Sequence, residues 1–129
     1  GSRAIADAQL QGMLGKESRA RRPDVVNTIR VMMAKQSVAG IIGALQALRD
    51  RPDSRETLRT ITVPTLVVVG EDDVLTPIKE ARAIAEGLPT AARVRMEIIA
   101  GAGHLPCVER PAATTHALSD FLASLADSV

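Results

Sequence analysis

Hydrophobic positions divide the chain near residue 60 into a helical part and a part in which strands and helices alternate. In the first part, apolar residues recur at the spacing of one helix face. Three helices are predicted, over residues 4–14, from Arg22-Pro23-Asp24 onward, and from the N-cap Ser37 to Leu48. Ser54 is a candidate cap for a short fourth helix. In the third helix, one face carries the apolar side chains of Ile41, Ile42, Leu45 and Leu48.

The second part predicts two parallel strands, each followed by a helix. Residues 65–69 form a continuous run of β-branched residues and leucine, as a strand buried on both faces requires. A helix is predicted over residues 77–88, and a second strand over residues 92–100, whose alternation is typical of a half-exposed edge strand. The last helix starts at Arg110-Pro111 and is predicted to pack through Ala117, Leu118, Phe121, Leu122 and Leu125. The fold class is therefore α/β, with N-terminal helices followed by a β-α-β-α unit.

Composition excludes several function classes. Phe121 is the only aromatic residue, so base stacking on nucleic acid is not expected, and the net charge is only +1. The short basic cluster of Arg19, Arg21 and Arg22 is interpreted as a solvated helix end. No apolar run has the length of a membrane span. The single cysteine, Cys107, excludes an internal disulfide and favours a reducing compartment, so we expect a cytoplasmic protein.

Two loops carry the candidate chemistry. Residues 64–77 read PTLVVVGEDDVLTP, and residues 101–111 read GAGHLPCVERP. Together they resemble the acid loop and the histidine loop near the C-terminus of the α/β-hydrolase superfamily, whose triad runs in the order nucleophile, acid, histidine. The pattern Gly-x-x-Asp-x-x-Thr-Pro places the triad acid at Asp73. The pattern Gly-x-Gly-His places the triad base at His104.

The resemblance implies a division of labour along the chain. Residues 1–60 are similar to the helical cap, or lid, of those enzymes, and residues 61–129 to the C-terminal β-α-β-α part of their core. In the family, such a site cleaves esters or lactones of small molecules without a cofactor. The nucleophile elbow Gly-x-Ser-x-Gly, however, is absent from the 129 residues. We therefore expect a truncated α/β-hydrolase that is not a serine hydrolase on its own.

A truncated sheet leaves the strand at residues 65–69 with an unpaired edge, and such an edge pairs with something. We expect a domain-swapped homo-oligomer, in the simplest case a dimer, or binding of the missing N-terminal hydrolase half.

Two alternative functions remain open. Asp73 and His104 are also ordinary ligands for zinc or manganese, with Asp72 or His116 as supplements, and a homo-oligomer could join two such pairs. A bound metal would then generate hydroxide for cleavage of phosphoesters or activated esters. The second alternative is a non-catalytic interaction module with a vestigial site.

Other residues receive less specific interpretations. Asp72 is expected to be solvated, His116 to lie at the surface, and Cys107 to be an inert small residue. Met32 and Met33 are expected to lie in the core or in a lid pocket rather than to act as ligands.

Overall fold

A computed structural model of the protein describes residues 2–126, with side chains from residue 4 onward. Within that range the chain forms eight α-helices, one short 3₁₀ turn at Thr90–Ala92 and two strands. The elements are α1 (Ser2–Met13), α2 (Lys16–Arg21), α3 (Pro23–Ala34), α4 (Val38–Asp50), α5 (Arg55–Leu58), β1 (Leu66–Gly70), α6 (Ile78–Gly87), β2 (Arg95–Ile99), α7 (Pro106–Glu109) and α8 (Pro111–Ala126). The predicted α/β class, with helices before a β-α-β-α unit, is confirmed.

Helices α1 and α3 pack together through aliphatic side chains. Their buried residues are Leu10, Leu14, Val25 and Ile29. Leu105 and Val108, which flank the end of the histidine loop, pack against the same cluster. The N-terminal helices are therefore seated directly on the loop that carries His104.

The two strands pair in parallel, and the crossover helix α6 connects the first to the second. The register sets Leu66 opposite Arg95 and Gly70 opposite Ile99. On one face Ile99 and the half-buried Val68 pack with Ala117 of α8. Because both strands end at the same edge, the loops that follow them lie side by side.

The predicted packing of α8 is wrong at two positions. In α8, Ala117 is buried and Phe121 and Leu125 are half-buried, but Leu118 and Leu122 are exposed. In β2, the buried position is Ile99, whereas Ile98 is exposed. These exposed apolar side chains could be buried only by a further layer of structure. Residues 2–126 provide no such layer over Leu118, Leu122 and Ile98.

Helix α4 forms as predicted but buries none of its residues. Ile42, Leu45 and Leu48 share one face and are about half exposed. Met32 is exposed as well, whereas Met33 packs against the α1–α3 cluster.

No single helix within residues 2–126 is long and apolar enough to cross a bilayer. Helices α3 and α4 reach that length and composition only together, across a 96° bend.

Two short helices, α2 and α7, were not predicted. Each has little more than one turn, and a helix of that length depends on tertiary contacts rather than on its own sequence pattern. The basic cluster lies at the end of α2, where Arg19 and Arg21 are exposed, as predicted.

The cap of α5 differs from its prediction. Ser54 makes no side-chain capping bond, and the carboxylate of Asp53 instead accepts from the amide of Arg55 at 3.0 Å.

We expect Ser37→Ala to destabilise α4 locally by about 1 kcal/mol. The Ser37 hydroxyl accepts from the amide of Gly40 at 3.0 Å, and no burial holds the helix elsewhere. Faster amide hydrogen exchange within α4, with little change in global unfolding, is the expected result. Ser54→Ala is the matched control, because that serine also precedes a helix but makes no capping bond. Equal effects of the two substitutions would contradict the capping role of Ser37.

Candidate functional site

Asp73 and His104 lie on adjacent loops at the carboxyl edge of the sheet. Asp73 follows β1 and His104 follows β2. Backbone hydrogen bonds join the two loops: the amide of Glu71 donates to the carbonyl of Ile99 at 3.0 Å, and that of Asp72 to the carbonyl of Ala102 at 2.8 Å. The acid loop and the histidine loop are therefore one hydrogen-bonded unit.

The Asp73 carboxylate is buried, with 5% of its side chain exposed, and both of its oxygens are occupied. Oδ1 accepts from the amides of Leu75 and Thr76, each at 2.9 Å. Oδ2 accepts from the Thr76 hydroxyl at 2.9 Å and contacts His104 Nδ1 at 2.9 Å. This bonding explains how a charged group is held at a site with little access to water.

The same contacts set the acidity of Asp73. Burial by itself raises the pKa of the carboxyl, but the amide of Thr76, the ring of His104 and the Thr76 hydroxyl together lower that pKa below its ordinary value of 3.8. Asp73 is therefore ionised at neutral pH and accepts hydrogen bonds only.

The orientation of His104 follows from the charge on Asp73. A carboxylate accepts only, so the proton of the neutral imidazole lies on Nδ1 and points to Oδ2. The Thr76 hydroxyl lies 3.2 Å from the same nitrogen. Nε2 makes no hydrogen bond with any residue between 2 and 126, and 35% of the side chain is exposed. The arrangement thus presents an accessible, unprotonated Nε2 that can accept a proton.

Thr76 and Glu109 are the site residues that sequence reasoning missed. The acid-loop pattern includes Thr76 only as the residue before a proline. In the structure, both its amide and its hydroxyl donate hydrogen bonds to the carboxylate of Asp73. Glu109 is fully buried and bonds the amides of Gly15, Gly103 and Leu105. The only sequence signal for either residue was its position within the two loop patterns.

Three glycines permit the close packing of these loops. A β-carbon on Gly70 would lie 2.0 Å from the carbonyl oxygen of Gly103, and one on Gly103 would lie 2.4 Å from the amide nitrogen of Gly15. The amide of His104 also donates to the carbonyl of Met13 at 2.9 Å. The end of β1, the histidine loop and the start of α2 are therefore stacked backbone on backbone.

The remaining candidate residues lie apart from the Asp73–His104 pair. Asp72 is half-buried rather than solvated: Oδ1 lies 3.9 Å from Lys16 Nζ, and Oδ2 is buried without a partner. His116 is exposed, as predicted, and lies 3.3 Å from Asp120 on α8. Cys107 is exposed on α7. Within residues 2–126, no hydrogen bond or ion pair joins these side chains to those of Asp73 or His104.

The described residues do not fit the metal interpretation well. No group of three or more His, Cys, Asp or Glu side chains between residues 2 and 126 is arranged to hold a metal ion. Both oxygens of Asp73 are engaged within the loop, and Nδ1 of His104 is engaged by Asp73. Only Nε2 remains as a ligand atom from the pair.

We expect the stability of the protein to fall in acid because of Asp73. Its folded-state pKa lies below 3.8, so the stabilising contribution is complete above that pH and is lost as the pH falls through the folded value. In urea unfolding between about pH 5 and pH 3, the wild type should lose more free energy of unfolding than Asp73→Asn. The exposed Glu86→Gln is the control and should follow the wild type. Parallel curves for the wild type and Asp73→Asn would contradict the expectation.

Comparison with known proteins places this geometry in a family. Residues 2–125 match the Ndr family. Among curated proteins, the chain is 32% identical over 113 residues to a biotin biosynthesis bifunctional protein BioHC from Teredinibacter turnerae, covering 88% of the chain and 19% of that protein. It is 38% identical over 69 residues to a proline iminopeptidase from Lactobacillus delbrueckii subsp. bulgaricus, covering 54% of the chain and 22% of that protein.

Solved structures give the same result over nearly the whole chain. A thermophilic esterase from Thermogutta terrifontis matches with a TM-score of 0.89 at 31% identity, covering 96% of this chain and 44% of that one. An enol-lactonase from Burkholderia xenovorans LB400 matches with a TM-score of 0.85 at 29% identity, covering 95% and 45%. The chain thus spans less than half of these structures and about a fifth of the curated relatives. By its match over residues 2–125 and its fold, the chain belongs to the Ndr family, within the α/β-hydrolase superfamily.

Proposed function

We propose that this chain supplies the lid, the acid and the base of a hydrolase that cleaves small-molecule esters or lactones. The observation that carries the proposal is the 2.9 Å contact between His104 Nδ1 and the buried carboxylate of Asp73, which leaves Nε2 free. The esterase and enol-lactonase among the similar structures support the substrate class.

In the proposed reaction, His104 acts as general base and Asp73 holds it in place. Nε2 takes the proton of a serine hydroxyl as the serine oxygen attacks the ester carbonyl, and returns that proton to the departing alkoxide, which leaves as an alcohol. Water then attacks the acyl-serine and loses a proton to Nε2; as the acyl–oxygen bond breaks, that proton passes to the serine oxygen, and the carboxylic acid is released. Asp73 stabilises the imidazolium in both steps and stays ionised.

The nucleophile must come from outside these 129 residues. None of the serines lies within a Gly-x-Ser-x-Gly sequence. In residues 2–126, β1 pairs with β2 alone, so its other edge can accept a further strand. We propose that the rest of the hydrolase core docks there and brings the serine toward Nε2, whether on the same polypeptide or on another.

In this proposal residues 1–60 form a lid with an aliphatic lining. The exposed side chains of Ile42, Leu45 and Leu48 on α4 would cover the alkyl part of a substrate. The same face is available for self-association. We therefore propose a homodimer as the alternative state of the isolated chain, with sedimentation velocity as the measurement that distinguishes monomer from dimer.

A chimera tests the proposed function. Residues 2–126 would replace the corresponding C-terminal part of the Thermogutta esterase, whose own nucleophile half is kept. We expect the chimera to hydrolyse p-nitrophenyl butyrate and its serine to react with a fluorophosphonate probe, because both need the base. The original esterase and its serine-to-alanine variant serve as controls. A chimera that is folded by circular dichroism but shows neither turnover nor labelling would overturn the proposal.

A further inference from the structure

Glu109 is a fully buried carboxylate at the end of α7 that the proposed reaction does not use. Burying a charged group is unfavourable unless hydrogen bonds replace the lost water. Within residues 2–126, Glu109 receives such bonds from backbone amides alone. The segments that carry those amides therefore show which parts of the fold Glu109 holds together.

The amides come from two segments that are far apart in sequence. Oε2 accepts from Gly15 at 2.7 Å, at the junction between α1 and α2. Oε1 accepts from Gly103 at 2.8 Å and from Leu105 at 3.3 Å, which are the two neighbours of His104. One side chain thus holds the backbone on both sides of His104 and joins it to the N-terminal helices.

Two neighbouring contacts strengthen this connection. The amide of His104 donates to the carbonyl of Met13 at 2.9 Å, two residues before Gly15. On the outside, the guanidinium of Arg110 pairs with the carboxylate of Glu17 at 2.8 Å. Glu109 and Arg110, at the boundary between α7 and α8, therefore bind Gly15 and Glu17 at the start of α2.

We infer that Glu109 is a positioning residue that couples the seating of the N-terminal helices to the orientation of His104. The inference rests on the proposed function only in its consequence for catalysis, since the coupling itself concerns the free chain. Because the amides on either side of His104 are bonded to one carboxylate, the residue cannot rotate about its backbone without breaking a buried bond. Movement of the α1–α2 junction is transmitted to the same carboxylate through Gly15.

Glu109→Gln separates positioning from general stabilisation. Glutamine keeps the shape of the side chain but has one accepting oxygen, and its amide nitrogen would face a backbone N–H on the other side. The bonds to Gly103 and Leu105, or the bond to Gly15, must be lost. Glu86→Gln on the exposed surface is the matched control.

The measurement is the ring nitrogen spectrum of the two histidines in the full chain, by ¹⁵N–¹H NMR. In the wild type and in Glu86→Gln, we expect His104 to show the tautomer with its proton on Nδ1. In Glu109→Gln, we expect the His104 signals to shift or broaden while those of exposed His116 stay unchanged. A lower melting temperature with unchanged His104 signals would show a purely structural role and overturn the inference.

If Glu109→Gln does not fold, amide hydrogen exchange of the wild-type chain tests the coupling instead. We expect the amides of Gly15, Gly103 and His104 to exchange through one common opening, with the same dependence on urea. Exchange of Gly15 through a separate, lower-energy opening would contradict the coupling.

The chimera connects the inference to catalysis and keeps the two claims separate. There we expect Glu109→Gln to lower kcat about 10²-fold with a smaller change in KM, as for a misplaced catalytic group. An inactive parent chimera would count against the proposed function alone, because the NMR result on the free chain is independent of turnover.

Discussion

We expect His104→Ala to lower kcat of the chimera by about 10⁴- to 10⁶-fold, with KM little changed. The substitution removes Nε2, the proposed proton acceptor, which Asp73 orients through Nδ1. Steady-state hydrolysis of p-nitrophenyl butyrate measures the effect. His116→Ala is the matched control and should leave kcat unchanged, because that histidine is exposed on α8 and paired with Asp120. Retention of more than about a tenth of the activity in His104→Ala would exclude His104 as the base.

The second large effect is expected from Gly70→Ala, which should lower the free energy of unfolding by about 3 kcal/mol or more. Its β-carbon would lie 2.0 Å from the carbonyl oxygen of Gly103 and 2.4 Å from that of Ala102. Both are backbone atoms of a segment held by hydrogen bonds, since the carbonyl of Ala102 accepts from the amide of Asp72 and the amide of Gly103 donates to Glu109. Moving that segment away would break these bonds. Urea unfolding followed by circular dichroism measures the loss.

Gly43→Ala is the control for this substitution and should have the opposite sign. A β-carbon on Gly43 would meet no atom of the described residues within 4 Å, and Gly43 lies inside helix α4. Alanine there should stabilise the helix by about 0.5 to 1 kcal/mol. If both glycine substitutions are neutral, the close approach of β1 to the histidine loop is wrong.

The pairing of Asp73 with His104 could be predicted because each residue lies in a short loop pattern that resembles one of the α/β-hydrolases. Each residue follows a parallel strand by a few positions, and the register of Gly70 with Ile99 brings the two loops together. The acid pattern also includes Thr76, whose bonds to Asp73 span only three residues. Helices α1, α3 and α4 were predicted from local patterns, since spacing and capping are properties of short segments.

Glu109 could not be predicted in this way. In sequence it reads as an ordinary charged residue before Arg110-Pro111, and only the fold brings Gly15 to it. The predicted burial of Leu118 and Leu122 was wrong for a related reason. Apolar spacing identifies the face of a helix that seeks a partner, but it does not say whether residues 2–126 include that partner.

The bond between Gly15 and Glu109 also bears on how the chain is made. These residues are 94 positions apart, so the N-terminal helices leave the ribosome long before the carboxylate that fixes them exists. Helices α1 and α3 can associate early, because their contacts are short-range, but their final seating must wait for α7. Synthesis should therefore pass through a stage in which α1 and α3 are helical yet not docked on the sheet, and the histidine loop and α7 complete their seating once they are made.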